Sequence, residues 1–271
     1  MDKCERTVVF SDAHIGSTVA LWPGEHRVEG GGSYKSNKFQ RWLFQCWNEA
    51  MADVSAMTPK PVIVLNGDMI QGVNFKDGQL ITTQVNVQVD AALRLLNPLK
   101  QAASRLYYVR GTEWHEGKAA DNVEQMARQL GAVVDPATKQ WSWWELYRQM
   151  GDAVVHYAHH IGMSSVPHYE ATVPLRDTLM LLAELARFFG KAAPDVRLTV
   201  RSHRHRYIRV EAPPNLNCVV TPSWQLKTAF AHKKATAMLP QIGYVVIDLD
   251  DNGDPTPHKK IFDLPRLHVE C

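Results

Sequence analysis

The stretch VVFSDAHIGS, residues 8–17, runs from an apolar, β-branched segment straight into Asp12 and His14, two residues apart. Such a segment reads as a buried strand. A strand that leaves the core at a carboxylate and an imidazole admits two accounts. Asp and Ser are ordinary strand terminators and the His is incidental, or the pair opens a metal site. The rest of the chain decides between them.

Six more short runs of the same kind follow: PVIVL (61–65), RLYYV (105–109), AVVHYA (153–158), RLTV (197–200), CVV (218–220) and GYVVIDL (243–249). Helical patterns lie between them. One covers 38–57 after Ser36 and Asn37 as N-caps, and one covers 84–104, where Pro98 is expected to kink or divide the helix. Others cover 119–130, ending at Gly131, and 174–189, ending at Gly190. Strands alternating with helices predict an α/β layered architecture in a single domain, residues 1–271. The segment 243–263 reads as a β-hairpin around Asn252-Gly253, which makes the sheet mixed. Residues 24–38 are expected to form a flexible loop close to the first motif, able to act as a flap.

Composition narrows the class. With 45% hydrophobic and 21% charged residues the chain is that of a soluble globular protein, and a net charge of +2 implies no overall field for nucleic acid. Cys4, Cys46, Cys218 and Cys271 are scattered without a CxxC pair, which argues against a zinc ribbon or a disulfide framework and suits a reducing compartment. No apolar stretch approaches the roughly 20 residues of a membrane span, so the expectation is a cytoplasmic protein with no membrane partner.

Five of the strands are followed by reactive side chains. TVVF leads into Asp12 and His14, PVIVL into Asn66-Gly67-Asp68, and RLYYV into RGTEWHEG with Glu113 and His115. AVVHYA leads into His159 and His160, and RLTV into RSHRHR with His203 and His205. In an open α/β sheet the loops at the carboxyl ends of strands converge on one crevice. Any one pair is weak, since Asp-x-His is more often a turn and a surface His, but five at corresponding positions are hard to assign to chance. Carboxylates and imidazoles without thiolates suit Mn, Fe, Zn or similar ions. Six or seven such ligands exceed the needs of one four-coordinate site, so two metals sharing a carboxylate fit better.

The blocks Asp12-Ala-His14, Gly67-Asp68, Gly111-Thr-Glu-Trp-His115, His159-His160-Ile-Gly162 and Ser202-His203-Arg-His205, in that order, resemble the calcineurin-like metallophosphoesterase family. Members encoded in phage and prophage genomes are similar in having a Gly-Thr…His block. The resemblance spans residues 7 to about 210. It implies a four-layer α/β/β/α sandwich with two mixed sheets and two divalent metal ions at one edge, Mn first, with Fe, Zn, Ni or Mg as alternatives. It implies that Asp12, His14 and His205 hold the first metal, that Asp68 bridges both, and that His203 and His159 hold the second. His159 is preferred to His160, which would then face substrate. Two departures stand out. Ser202 replaces a common Gly, and the family's Asn ligand with its adjacent catalytic His is replaced by Thr112 to His115. Either Glu113 supplies the missing oxygen with His115 as the acid, or Thr112 takes the Asn position and Glu113 or a water completes the metal.

The chemistry so implied is hydrolysis of a phosphoester by a hydroxide bridging the two metals, with His115 protonating the leaving oxygen. Arg110, Arg204 and Arg206 are candidates to stabilise phosphoryl charge, and solvation is the alternative for each. Trp224 either lines the pocket rim or packs in the core. WSWWELY (141–147) reads as packed aromatics, or as a stacking wall for bases. The basic stripe Arg201, Arg204, Arg206 and Arg209 steers phosphate or is a solvated face. His156 reads as a structural residue inside a strand. The leading function is a phosphodiesterase or nuclease acting on nucleic acid or nucleotide. A phosphomonoesterase is the enzyme alternative, and a catalytically silent metal-binding scaffold is the alternative of another class.

Overall fold

Along the first strand the side chains alternate between two cores. Val8 and Phe10 pack with the helices, whereas Val9 packs between two sheets, and all three are buried. That alternation, repeated in the other central strands, builds the molecule in layers. The structure is a computed structural model that describes residues 6–73, 78–117, 120–162, 169–212, 215–234 and 238–265.

In chain order the first half contains β1 (Thr7–Phe10), β2 (Glu25–Arg27), β3 (Ser33–Lys35), α1 (Lys38–Ser55), β4 (Val62–Asn66), α2 (Val85–Ala102) and β5 (Arg105–Val109). Next come α3 (Glu113–Glu116), α4 (Asp121–Leu130), β6 (Leu146–Met150), β7 (Ala153–Tyr157) and α5 (Thr172–Phe189). The last part contains β8 (Val196–Arg201), β9 (Ile208–Ala212), β10 (Leu216–Val220), α6 (Ala229–Lys234), β11 (Ile242–Leu249) and β12 (Pro255–Phe262).

Two mixed five-stranded sheets form the centre. One has the order β12-β11-β1-β4-β5, with β1, β4 and β5 parallel and β11 and β12 antiparallel to their neighbours. The other has the order β6-β7-β8-β10-β9, with β7, β8 and β10 parallel and β6 and β9 antiparallel. Val9, Val64, Tyr107, Val155, Tyr157 and Val200 belong to the core between the sheets. Outside the first sheet, α1, α2 and α4 pack through Leu43, Trp47, Leu96 and Met126. Outside the second, α5 sets Leu185 against Val154 and Val196. The layer order is therefore α/β/β/α.

The helices follow local chemistry. Asn37 caps α1, its Oδ1 accepting the N–H of Phe39 at 2.9 Å and of Gln40 at 3.0 Å, while Gln40 Oε1 accepts the N–H of Asn37. Pro98 does not divide α2. It lies on the exposed face, where the carbonyl that a proline leaves without a donor is open to solvent. Residues 24–38, expected as a loop, carry the short β2–β3 hairpin. The final hairpin pairs Ile242 with Phe262 through Leu249 with Pro255, leaving five residues in its loop. Cys46 and Cys218 are free and buried, whereas Cys4 and Cys271 lie outside the described residues. Among the described residues no helix is long and apolar enough to cross a membrane.

Candidate metal centre

Because β1, β4 and β5 are parallel, and β7 and β8 are parallel, the loops after all five gather at one end of the sandwich. The turns there are sharp. Seven described non-glycine residues have positive φ, and five of them are Asp12 (52°), His14 (45°), Asp68 (53°), His203 (71°) and His205 (54°). Left-handed backbone is uncommon outside glycine, though Asp and His adopt it more readily than most residues, and its concentration at the expected ligands marks a site whose geometry is imposed by the surrounding fold. Backbone hydrogen bonds supply that imposition: Asp12 N–H to the Gly67 carbonyl, His14 N–H to the Asp68 carbonyl and Trp224 N–H to the Asp12 carbonyl, each at 3.0 Å.

Three groups of side chains converge closely enough to hold an ion: Asp12 with His14 and His205, His14 with Asp68 and His115, and Asp68 with His159 and His203. In the first, His14 Nε2 and His205 Nε2 approach to 3.1 Å, and Asp12 Oδ1 lies 3.8 and 3.4 Å from them. In the third, Asp68 Oδ2 lies 3.0 Å from His159 Nε2 and 4.0 Å from His203 Nδ1. Asp68 belongs to two of the groups, the placement a shared ligand requires.

The donor set fits a divalent cation. Asp12 Oδ1 is buried with no hydrogen-bond partner among the described residues, an arrangement that is costly unless a cation takes it up. The imidazoles are oriented from behind. His159 Nδ1 hydrogen-bonds the Asn66 carbonyl at 2.7 Å and His115 Nδ1 the Gln71 carbonyl at 2.7 Å. Donation through Nδ1 turns each Nε2 toward the site. Burial, with His115 beside it, pushes His14 down to about 3, so its ring is neutral and able to ligate.

His159 behaves differently in the metal-free chain. Burial opposes its protonation, but the carboxylates of Asp68 and Asp12, with hydrogen bonds to Asp68 and Asn66, outweigh that and raise it to about 10. A proton therefore occupies the ligand position until a cation displaces it. The raised value adds stability below pH 6.5 that is lost as pH rises through about 10 in the metal-free protein. It also makes metal binding release a proton, so apparent affinity should rise roughly tenfold per pH unit between about pH 7 and 9. Calorimetric titration with Mn in buffers of different ionisation heat should count one proton per chain, lost in His159→Asn. An unchanged count in that variant would assign the proton elsewhere.

The other expected residues separate clearly. His160 is exposed, its ring 5.0 Å from that of His203, and stands outside the ligand groups. Thr112 reaches Asp68: its N–H donates to Oδ1 at 2.7 Å, and its hydroxyl lies 3.1 and 3.2 Å from the two carboxylate oxygens. Glu113, expected as an oxygen ligand, is exposed and belongs to no ligand group among the described residues, because α3 starts at that residue and turns its side chain outward. Of the two places open to Trp224, pocket rim or core, the structure has the core: the indole is fully buried against Phe10, Trp47 and Phe262, since the residue before it bridges to β11.

The arginines are largely committed. Arg110 donates to Ser142 Oγ and Gln140 Oε1, Arg201 pairs with Asp177 at 2.9 Å, Arg206 with Glu170 at 3.2 Å and Arg209 with Glu211 at 2.6 Å. Arg204 is buried, with one donor on the Glu170 carbonyl and, among the described residues, no partner for Nε and Nη2. His156 is buried 3.3 Å from Glu145 and serves the strand.

Sequence reasoning missed the supports beneath the ligands. Asn66 Nδ2 and the Thr221 hydroxyl both donate to Ser202 Oγ, at 2.6 and 2.8 Å, and the Ser11 hydroxyl lies 2.6 Å from that of Thr221. This buried network ties the ends of β1, β4, β8 and β10 together. Glu116 is also buried, accepting the Tyr108 hydroxyl at 2.7 Å and the Gly111 N–H at 2.6 Å. Burial and the charge of Asp68 push its carboxyl up to about 7. Nothing in RGTEWHEG distinguishes Glu116 from Glu113; only the turn of α3 does.

Strand order, motif order and the convergence of these ligands coincide. The chain resembles the calcineurin-like metallophosphoesterases. No family model and no curated protein matches the sequence. Among solved structures, the chain is similar to Vps29 from Chaetomium thermophilum, 12% identical with TM-score 0.45, over 96% of this chain and 97% of that one. It is similar to a dimetal phosphatase from Danio rerio, 8% identical with TM-score 0.45, over 92% and 94% of the two chains. A metallophosphoesterase from Sphaerobacter thermophilus is 11% identical with TM-score 0.40, over 94% and 88%. What the site can do follows from its own side chains.

Proposed function

We propose that the protein is a metal-dependent phosphoester hydrolase, and that its substrate is a phosphodiester of a nucleic acid or nucleotide. The observation that carries this reading is the pair of ligand groups around Asp12 and Asp68, gathered at one edge of the sandwich. Asp12, His14 and His205 would hold one ion, and Asp68, His159 and His203 the other, with Asp68 common to both. Divalent cations at such positions supply Lewis acidity toward phosphoryl oxygens and lower the pKa of water toward neutrality.

The chain's own groups supply the rest. Thr112 holds the Asp68 carboxylate in place through its N–H and hydroxyl. His115, anchored through Nδ1 on the Gln71 carbonyl, directs Nε2 into the site, where it donates a proton to the leaving oxygen. His160, exposed at the edge, meets the substrate rather than the metals.

Charge supports a diester over a monoester. A monoester carries about −1.5 to −2 at neutral pH, a diester −1. Arg201 and Arg206 already face carboxylates, and Arg204 is buried with one donor on the Glu170 carbonyl, so a singly charged diester is the better match than a dianion. Exposed Trp114 and Trp144 nearby offer aromatic surface instead, at 67% and 57% exposure.

The test compares turnover of a generic phosphodiester and a generic phosphomonoester by the Mn-loaded protein. Diester turnover is expected. Monoester turnover alone would make the protein a phosphatase. Absence of bound metal after reconstitution, with no turnover, would leave a scaffold.

A further inference from the structure

A cleft of about 450 Å3 opens beside the metal centre, sharing His159 with it and lined also by the neighbouring Gly111 and His160. Its volume falls in the range of about 300–1,000 Å3 found for small-molecule sites. The indole of Trp144 lines it, with the Arg110 guanidinium 4.4 Å from its centroid on one side and 57% of the residue still exposed. Met180 and Leu181 from α5 add apolar surface.

The charged groups of the cleft select against a second phosphate. Arg201 is paired with Asp177, and Arg110 keeps its charge while held on the neutral Ser142 and Gln140, so two guanidiniums stand against three carboxylates. Glu145, Asp177 and Glu184 line the same space and repel anions. What remains is an aromatic platform beside hydrogen-bond acceptors, which suits a flat, uncharged group carrying N–H donors.

We infer that this cleft binds a nucleobase, stacked on Trp144, so that the ester bond presented to the neighbouring metal centre belongs to a nucleotide or nucleic acid and not to a polyphosphate or phosphoprotein. The inference rests on the phosphoesterase reading and goes beyond it in naming the place where the base of such a substrate binds. Base–aromatic stacking tolerates any base because each has a π-face. The carboxylates favour bases with exocyclic amino groups, which places cytidine, adenosine and guanosine above uridine.

The experiment is calorimetric titration of the Mn-loaded protein with the four nucleoside 5′-monophosphates and with ribose 5-phosphate, for wild type, Trp144→Ala and Trp144→Phe. Nucleotides should bind about 5- to 150-fold tighter than ribose 5-phosphate, the span expected of one stacked base. Trp144→Ala should bring nucleotide affinity down to that of the sugar phosphate, and Trp144→Phe should retain most of the difference. Continued binding of ribose 5-phosphate by the alanine variant shows that the protein is folded. Equal binding of nucleotides and ribose 5-phosphate by wild type, no nucleotide binding, or an advantage that survives Trp144→Ala overturns the inference. Hydrolysis of the generic phosphodiester is read separately: if it persists while base preference is absent, the base site falls and the phosphoesterase stands. If hydrolysis is absent while base preference is present, the reverse holds.

Discussion

Asp68→Asn should strip metal from the protein and lower phosphodiester turnover by more than about 100-fold. Residues that only orient metal ligands commonly cost about 10- to 100-fold when changed, and Asp68 stands nearer the centre than those. Its carboxylate accepts the Thr112 N–H at 2.7 Å, lies 3.0 Å from His159 Nε2, and joins two of the three ligand groups. An amide has one acceptor oxygen. If that oxygen keeps Thr112, the new NH2 faces His159 and occupies the lone pair needed for a cation. If it turns the other way, NH2 meets the Thr112 N–H, donor against donor. Both orientations damage the site while conserving volume, so the fold should persist. Metal analysis and a rate measurement on the same sample check this. Full metal content with near wild-type turnover would remove Asp68 from the mechanism.

Trp224→Ala should act on stability and leave the chemistry of the folded fraction intact. The indole is fully buried, 4.8 Å from Trp47 and 5.8 Å from Phe262 between ring centroids. Replacing a buried Trp by Ala typically costs about 3–5 kcal/mol through lost burial and the cavity left behind. For a chain of this size that is roughly 6–20 °C in Tm. The Trp224 N–H to the Asp12 carbonyl survives the change, since it is a backbone bond, so the metal centre keeps its support. Denaturant unfolding and KM for the diester separate the possibilities. A small stability loss with a large rise in KM would return Trp224 to the pocket rim.

Seven central strands and the last hairpin were legible in the chain as short β-branched runs, whereas the division of the core between two sheets was not, because it depends on which strands pair. The ligand types were legible too, since Asp, His and Glu followed five of those runs. Less legible were choices between neighbours. His159 and His160 are equivalent in sequence, yet one is buried with Nδ1 on Asn66 and the other is exposed. Thr112 and Glu113 differ in chemistry in favour of Glu113 as a ligand, yet the start of α3 puts Thr112 on Asp68. Of the three Trp in WSWWELY, Trp143 donates its Nε1–H to the Val133 carbonyl while Trp144 is left exposed. The arginine stripe kept its position but lost most of its free charge to Asp177, Glu170 and Glu211.

By itself, then, the sequence determined which segments are buried, the layered α/β order and the kind of ligand at each strand end, because periodicity and residue chemistry are local properties. Only the tertiary structure decided which of two adjacent side chains enters the centre, which arginines stay unpaired and which aromatic faces solvent. Those outcomes depend on left-handed turns and on partners far away in the chain, and both take shape only where five loops from two packed sheets meet.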